Sequence, residues 1–125
     1  MSGFIPPFMS PIQGWQQIVA DAVNPLLRGE VNMAAKTAAY TLTDQDYFVA
    51  CDATAAAFTI TLPPANLYAG KAFTIKKTDA SVNVVTIDGN AAETIDGALT
   101  ATLVAQYRSK TLLSNGVTWR LIADF

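Results

Sequence analysis

Four acidic residues, Asp79, Asp88, Glu93 and Asp96, lie close together in the chain. Two carboxylates held a short distance apart can hydrolyse a glycosidic bond, one as acid and one as base or nucleophile. Carboxylate oxygens from loops also bind calcium. The spacing here fits neither an EF-hand nor a nonapeptide calcium repeat. Asp88 and Asp96 each precede a glycine, where Asp caps its own turn. The turn role is the stronger reading for both. With no histidine in the sequence, the commonest general base and every Ser-His or Cys-His pairing are excluded. A single cysteine, Cys51, excludes a cysteine-based zinc or iron–sulfur site and an internal disulfide. It lies in the apolar run 47–51 and reads as a buried, inert thiol. Phosphate-binding glycine loops and nucleophile elbows are absent. The residues read as non-enzymatic, with no cofactor and no metal.

The elements around these carboxylates are mostly strands. From Tyr40 onward apolar and polar residues alternate, as in Phe58-Thr59-Ile60-Thr61-Leu62 and Ala72-Phe73-Thr74-Ile75-Lys76. That period predicts half-buried strands. Residues 82–87, 99–104 and 111–113 continue the pattern, and Val117, Trp119 and Leu121 close it. Turn signals separate the runs: 44–46, Pro63-Pro64, Asp79 to Ser81, Asp88-Gly89, Asp96-Gly97 and Asn115-Gly116. Asn-Gly predicts a hairpin, since both residues tolerate positive φ. Thr86-Ile87-Asp88-Gly89 recurs as Thr94-Ile95-Asp96-Gly97; two copies are too few for a solenoid and predict consecutive turns on one sheet edge. The expected fold is mainly β: a small antiparallel β-sandwich or barrel-like knob over 37–125. Trp119, in phase with Val117 and Leu121, is expected in the core or a subunit interface rather than as a sugar platform. Tyr107-Arg108 fits an exposed strand start as well as a ligand contact.

Residues 1–36 differ in kind. Pro6, Pro7, Pro11 and Pro25 interrupt a stretch carrying Phe4, Ile5, Phe8 and Ile12. Proline fixes φ and removes a donor, which predicts an extended arm. Disordered tails are normally polar, so these apolar groups imply docking, on a partner or on the chain's own β domain. Trp15, Ile18 and Val19 recur at helical spacing and predict a short α-helix over about 14–24, stopped at Asn24-Pro25. Three helical turns are not stable alone. The helix face and Leu26 therefore need a partner, and Trp15 suits an interface anchor. Residues 30–39 read as a connector. The partner-binding residues expected are Phe4, Ile5, Phe8, Ile12, Trp15, Ile18, Val19 and Leu26.

Composition narrows the partners. Charged residues make up 14% of the chain against 51% hydrophobic, where soluble domains carry about 25% charged. So few charges suit self-association as well as a Thr/Ser/Ala-rich uncharged surface. The net charge is −2 and the basic residues are scattered, so nucleic-acid binding is not expected. No run approaches the ~20 apolar residues of a membrane helix, and no basic region opens a secretory signal. Synthesis and folding in the cytoplasm are expected.

An ordered set of segments carries a resemblance. It runs Asp46-Tyr47-Phe48-Val49, Phe58-Thr59-Ile60-Thr61-Leu62-Pro63, Gly70-Lys71-Ala72-Phe73-Thr74-Ile75-Lys76-Lys77-Thr78-Asp79, Asn83-Val84-Val85-Thr86-Ile87-Asp88-Gly89, Glu93-Thr94-Ile95-Asp96-Gly97 and Ser114-Asn115-Gly116-Val117-Thr118-Trp119. Residues 43–122 thereby resemble a β module of tailed-bacteriophage virion proteins, of the head-fibre, decoration or tail-fibre type. The resemblance implies a structural role in the virion, commonly as a homotrimer, and carries no catalytic residue. In long fibres the module is flanked by shaft or receptor-binding domains. Ending at Phe125, this chain is expected to be an arm plus one knob. That suits a capsid decoration, cement or head-fibre protein gripping the major capsid protein, or another virion protein, through 1–36. The alternatives are a short tail-fibre or tail-adaptor component and a host-glycan-binding knob.

Overall fold

Alternation in the sequence becomes alternation between core and solvent in each long strand. A computed structural model describes residues 31–125. It is mainly β, with 44% in strands and 3% helical, and its two mixed sheets form a sandwich-like pair without a closed barrel. The strands are β1 (Met33–Lys36), β2 (Tyr40–Thr41), β3 (Phe48–Cys51), β4 (Phe58–Thr61), β5 (Ala72–Lys77), β6 (Val85–Asp88), β7 (Thr100–Leu103), β8 (Ser109–Ser114) and β9 (Trp119–Asp124). One sheet has the order β1-β3-β5-β8-β9, the other β2-β4-β6-β7.

Through β6 every connection crosses from one sheet to the other. Three strand pairs, β1–β2, β3–β4 and β5–β6, therefore stack in parallel. Met33 pairs with Phe48 and Phe48 with Thr74 in the first sheet; Tyr40 pairs with Ile60 and Phe58 with Val85 in the second. The last three strands are antiparallel: β7 on β6, β8 on β5 and β9 on β8. The two-layer β architecture matches expectation, but the pairing is half parallel rather than antiparallel throughout. Parallel neighbours need a crossover between them, and here the strand in the opposite sheet provides it.

The core lies between the sheets. β3 contributes Val49 and Cys51, β4 Phe58 and Ile60, β5 Phe73 and Ile75, β6 Val85 and Ile87, all buried. Burying each of the larger side chains stabilises by about 1.5–3 kcal/mol. Trp119 is fully buried, its ring 5.7 Å from Phe73.

Local chemistry moved three expected features. Residues 33–36, read as connector, form β1 and pair with β3. The strand expected from Val82 begins at Val85; before it the Asn83 backbone N–H donates to Ser81 Oγ and its side-chain amide to the carbonyls of Ala53 and Thr54, which holds this stretch as a loop. Asn115-Gly116 does join β8 to β9 in the expected hairpin, though not as a two-residue turn. Only Gly116 has positive φ, and the Asn115 side chain accepts the Val117 and Thr118 N–H groups across a longer loop. Asp96-Gly97 is the tight turn instead, with φ of 49° and 88° and Ile95 bridged to Ala98.

Candidate functional site

Lys77 ends β5 in phase with Phe73 and Ile75, so its side chain points into the core. A buried ammonium needs a full set of acceptors. Lys77 Nζ donates to Asp79 Oδ2 at 2.7 Å, Asp79 O at 3.1 Å and Ser81 O at 3.0 Å. Asp79 accepts in turn from the Ala53 N–H at 2.8 Å, the Ser81 N–H at 3.0 Å and the Ser81 hydroxyl. Ser81 also donates to Ala53 O. Burial pushes the Asp79 carboxyl up, but the hydrogen bonds from Lys77, Ser81 and Ala53 outweigh it and hold the group well below the usual carboxylate range. The network ties the β5–β6 connection to the β3–β4 connection.

The other carboxylates lie elsewhere. Asp88 ends β6 on its outer face, while Asp79 lies before its start. Four extended residues separate the two ends by roughly 13 Å. Glu93 accepts the Ala65 N–H with both oxygens, at 3.1 and 3.3 Å, and Ser114 donates to the Ala65 carbonyl at 2.7 Å. Asp96 lies 3.8 Å from Arg120. Asp46 accepts from the Tyr40 hydroxyl at 2.8 Å and the Thr43 N–H at 2.9 Å, and the first of these bonds raises the Tyr40 hydroxyl pKa. Asp52 accepts both Thr54 donors, which lower its pKa. Among the described residues no three Asp, Glu or Cys side chains gather as metal ligands. Asp79, Asp88, Glu93 and Asp96 are thus not gathered as metal ligands.

The remaining nominated residues divide between core and surface. Cys51 is fully buried, and burial pushes its thiol up to about 12. Trp119 is core, and its indole N–H has no partner. Tyr68, which the sequence analysis did not single out, packs on Phe73. Tyr107 is exposed, with a positive φ of 66° and the Lys76 ammonium 5.5 Å from its ring. Phe4, Ile5, Phe8, Ile12, Trp15, Ile18, Val19 and Leu26 lie outside the described residues.

Two surfaces stand out. On the outer face of the four-stranded sheet the register aligns Thr59, Thr86 and Thr102 in one row, and Thr41, Thr61, Asp88 and Thr100 in the next. This face carries hydroxyl groups and one carboxylate. Along one end of the sandwich, the connections 37–39, 52–57, 78–84 and 104–108 expose Ala55, Ala56, Ala57, Val82, Val104 and Tyr107. Such an arrangement offers flat or apolar contact, with its carboxylates engaged in holding loops. The sequence reading missed the Lys77 network. Its signal was a lysine in the core-facing phase of an alternating strand. No family model matches the chain, and no curated protein matches it.

Proposed function

We propose that this chain is a bacteriophage virion structural protein, a capsid decoration, cement or head-fibre protein that attaches through its first 36 residues and associates as a homotrimer. Its place is in the virion, assembled after synthesis in the host bacterium. Partner burial through Phe4, Ile5, Phe8, Ile12, Trp15, Ile18, Val19 and Leu26 does the work, with no catalysis and no cofactor. One observation carries the reading: the β unit commits its buried ion pair and two of its four nominated carboxylates, Asp79 and Glu93, to holding loops, and its four-stranded sheet presents an outer face of threonines with one carboxylate. A β module of that kind suits a spacer or clamp. The ordered resemblance of residues 43–122 to virion β modules supplies the biological setting.

Full-length variants Phe4→Ala, Phe8→Ala and Trp15→Ala, added to particles lacking the protein, test it. Occupancy should fall by at least about tenfold if these are interface anchors, while the β unit keeps its circular dichroism. Unchanged occupancy would remove the arm from the account. Truncations should stop before Met33, since β1 belongs to the sheet. A second reading, a glycan-binding tail knob, is favoured by the exposed Tyr107, and specific binding on a glycan array would promote it.

A further inference from the structure

Each sheet has two edges, and three of the four are guarded. β9 carries Arg120 and Asp124, and its pairing with β8 is bulged between Thr111 and Leu112. Bulges and charges both blunt an edge. β1 ends in the charged Lys36. β2 has only two residues.

The fourth edge, β7, is bare. Leu99-Thr100-Ala101-Thr102-Leu103-Val104 holds no charge, proline or glycine, and its pairing with β6 runs without a bulge. Uncharged, regular edges of this kind are templates for further pairing. Antiparallel residues alternate between bonding to a neighbour and bonding away from it. The Gly89 N–H donates to Leu99 O at 3.2 Å, which sets the phase. Leu99, Ala101 and Leu103 bond towards β6; Thr100 and Thr102 direct their N–H and C=O groups to the open side. Among the described residues no strand lies there. Leu99 and Val104, at either end, are 57% and 58% exposed.

We infer that β7 is an assembly edge that pairs antiparallel with β7 of a second copy about a twofold axis, joining two four-stranded sheets into one of eight. The strand is complementary to itself. Centred on Ala101 facing Ala101, the register sets Thr100 opposite Thr102 of the second copy and Thr102 opposite its Thr100. All four outward-directed backbone groups of each strand then have partners. The threonine hydroxyls come side by side on the outer face, a favourable cross-strand pairing, and the rows of threonines continue across the joint. Leu99 of each copy lies opposite Leu103 of the other. No like charges meet, which a second copy would otherwise bring. This pairing does not rest on the virion reading, and it adds to a threefold association rather than replacing it.

Proline discriminates this edge from a merely exposed strand. At Thr102 it removes only the outward N–H, a position where edge strands accept proline. The full-length chain and its Thr102→Pro variant are compared by sedimentation velocity over a concentration series. Circular dichroism and melting temperature report the fold. The expected result is a twofold association step in the wild type and a halved mass in the folded variant. If Thr102→Pro does not fold, the double variant Thr100→Lys/Thr102→Lys, with lysines directly opposite across the joint, decides in the same assay. A wild type with no twofold step, or a folded blocking variant of unchanged mass, overturns the inference.

Discussion

Lys77 and Asp79, two positions apart at the end of β5, form a 2.7 Å ion pair with side chains 0% and 5% exposed. The pair closes over the backbone of residues 53 and 81, so it fixes where two connections cross between sheets. Removing one partner of a buried pair strands the other without compensation and costs about 3–5 kcal/mol. Lys77→Met and Asp79→Ala should each lower stability by that order in urea unfolding. The double variant should cost less than the sum of the two.

Acid titration separates this ion pair from the surface pairs. The folded Asp79 carboxyl sits below its ordinary value. A depressed carboxyl contributes fully above its unfolded pKa of about 3.9 and loses that contribution as pH falls towards the folded value. Wild-type stability should therefore decline below about pH 4. Asp79→Asn should be less stable at neutral pH and flatter across the acid range, so the two curves converge. Parallel curves would mean that Asp79 is not the titrating group.

Cys51 provides the opposite sign. Its folded pKa is raised to about 12, so its contribution is complete below the unfolded value of about 8.5 and is lost as pH rises towards the folded one. The thiolate is the reactive species. A thiol reagent at mildly alkaline pH should leave the native protein unlabelled and label one cysteine on unfolding, with the modified protein read by mass spectrometry.

How much of this was legible in the sequence depended on the kind of order involved. Phe58-Thr59-Ile60-Thr61 declares which residues face the core, because side-chain phase is a local property. It does not declare that Ile60 pairs in parallel with Tyr40 on one side and Ile87 on the other. Alternation fixes a face, whereas partner and direction follow from whether a connection folds back or crosses over. Met33-Ala34-Ala35-Lys36 lacks β-branched residues and gains its strand conformation only from pairing with β3. Among the site residues, Asp79 was visible as a carboxylate. Its partner Lys77 was hidden because a lysine in an alternating strand reads as solvated until its neighbours prove to be core.

A glycine tests the fold near Glu93. A Cβ on Gly89 would run into the backbone carbonyl of Glu93, whereas one on Gly97 would meet nothing. Gly89→Ala should cost about 1–3 kcal/mol through forced backbone movement. It should also loosen the Glu93 bond to Ala65. Gly97→Ala should cost about 1 kcal/mol from its positive φ alone. Thermal melts of both variants give the order directly.

The proposal of a virion structural role is tested most directly by counting this chain in purified particles against the major capsid protein. The account predicts a constant ratio that is a fixed, substantial fraction of the capsid count. A handful of copies would move the protein from the head to the tail. Absence from purified particles would contradict the structural reading.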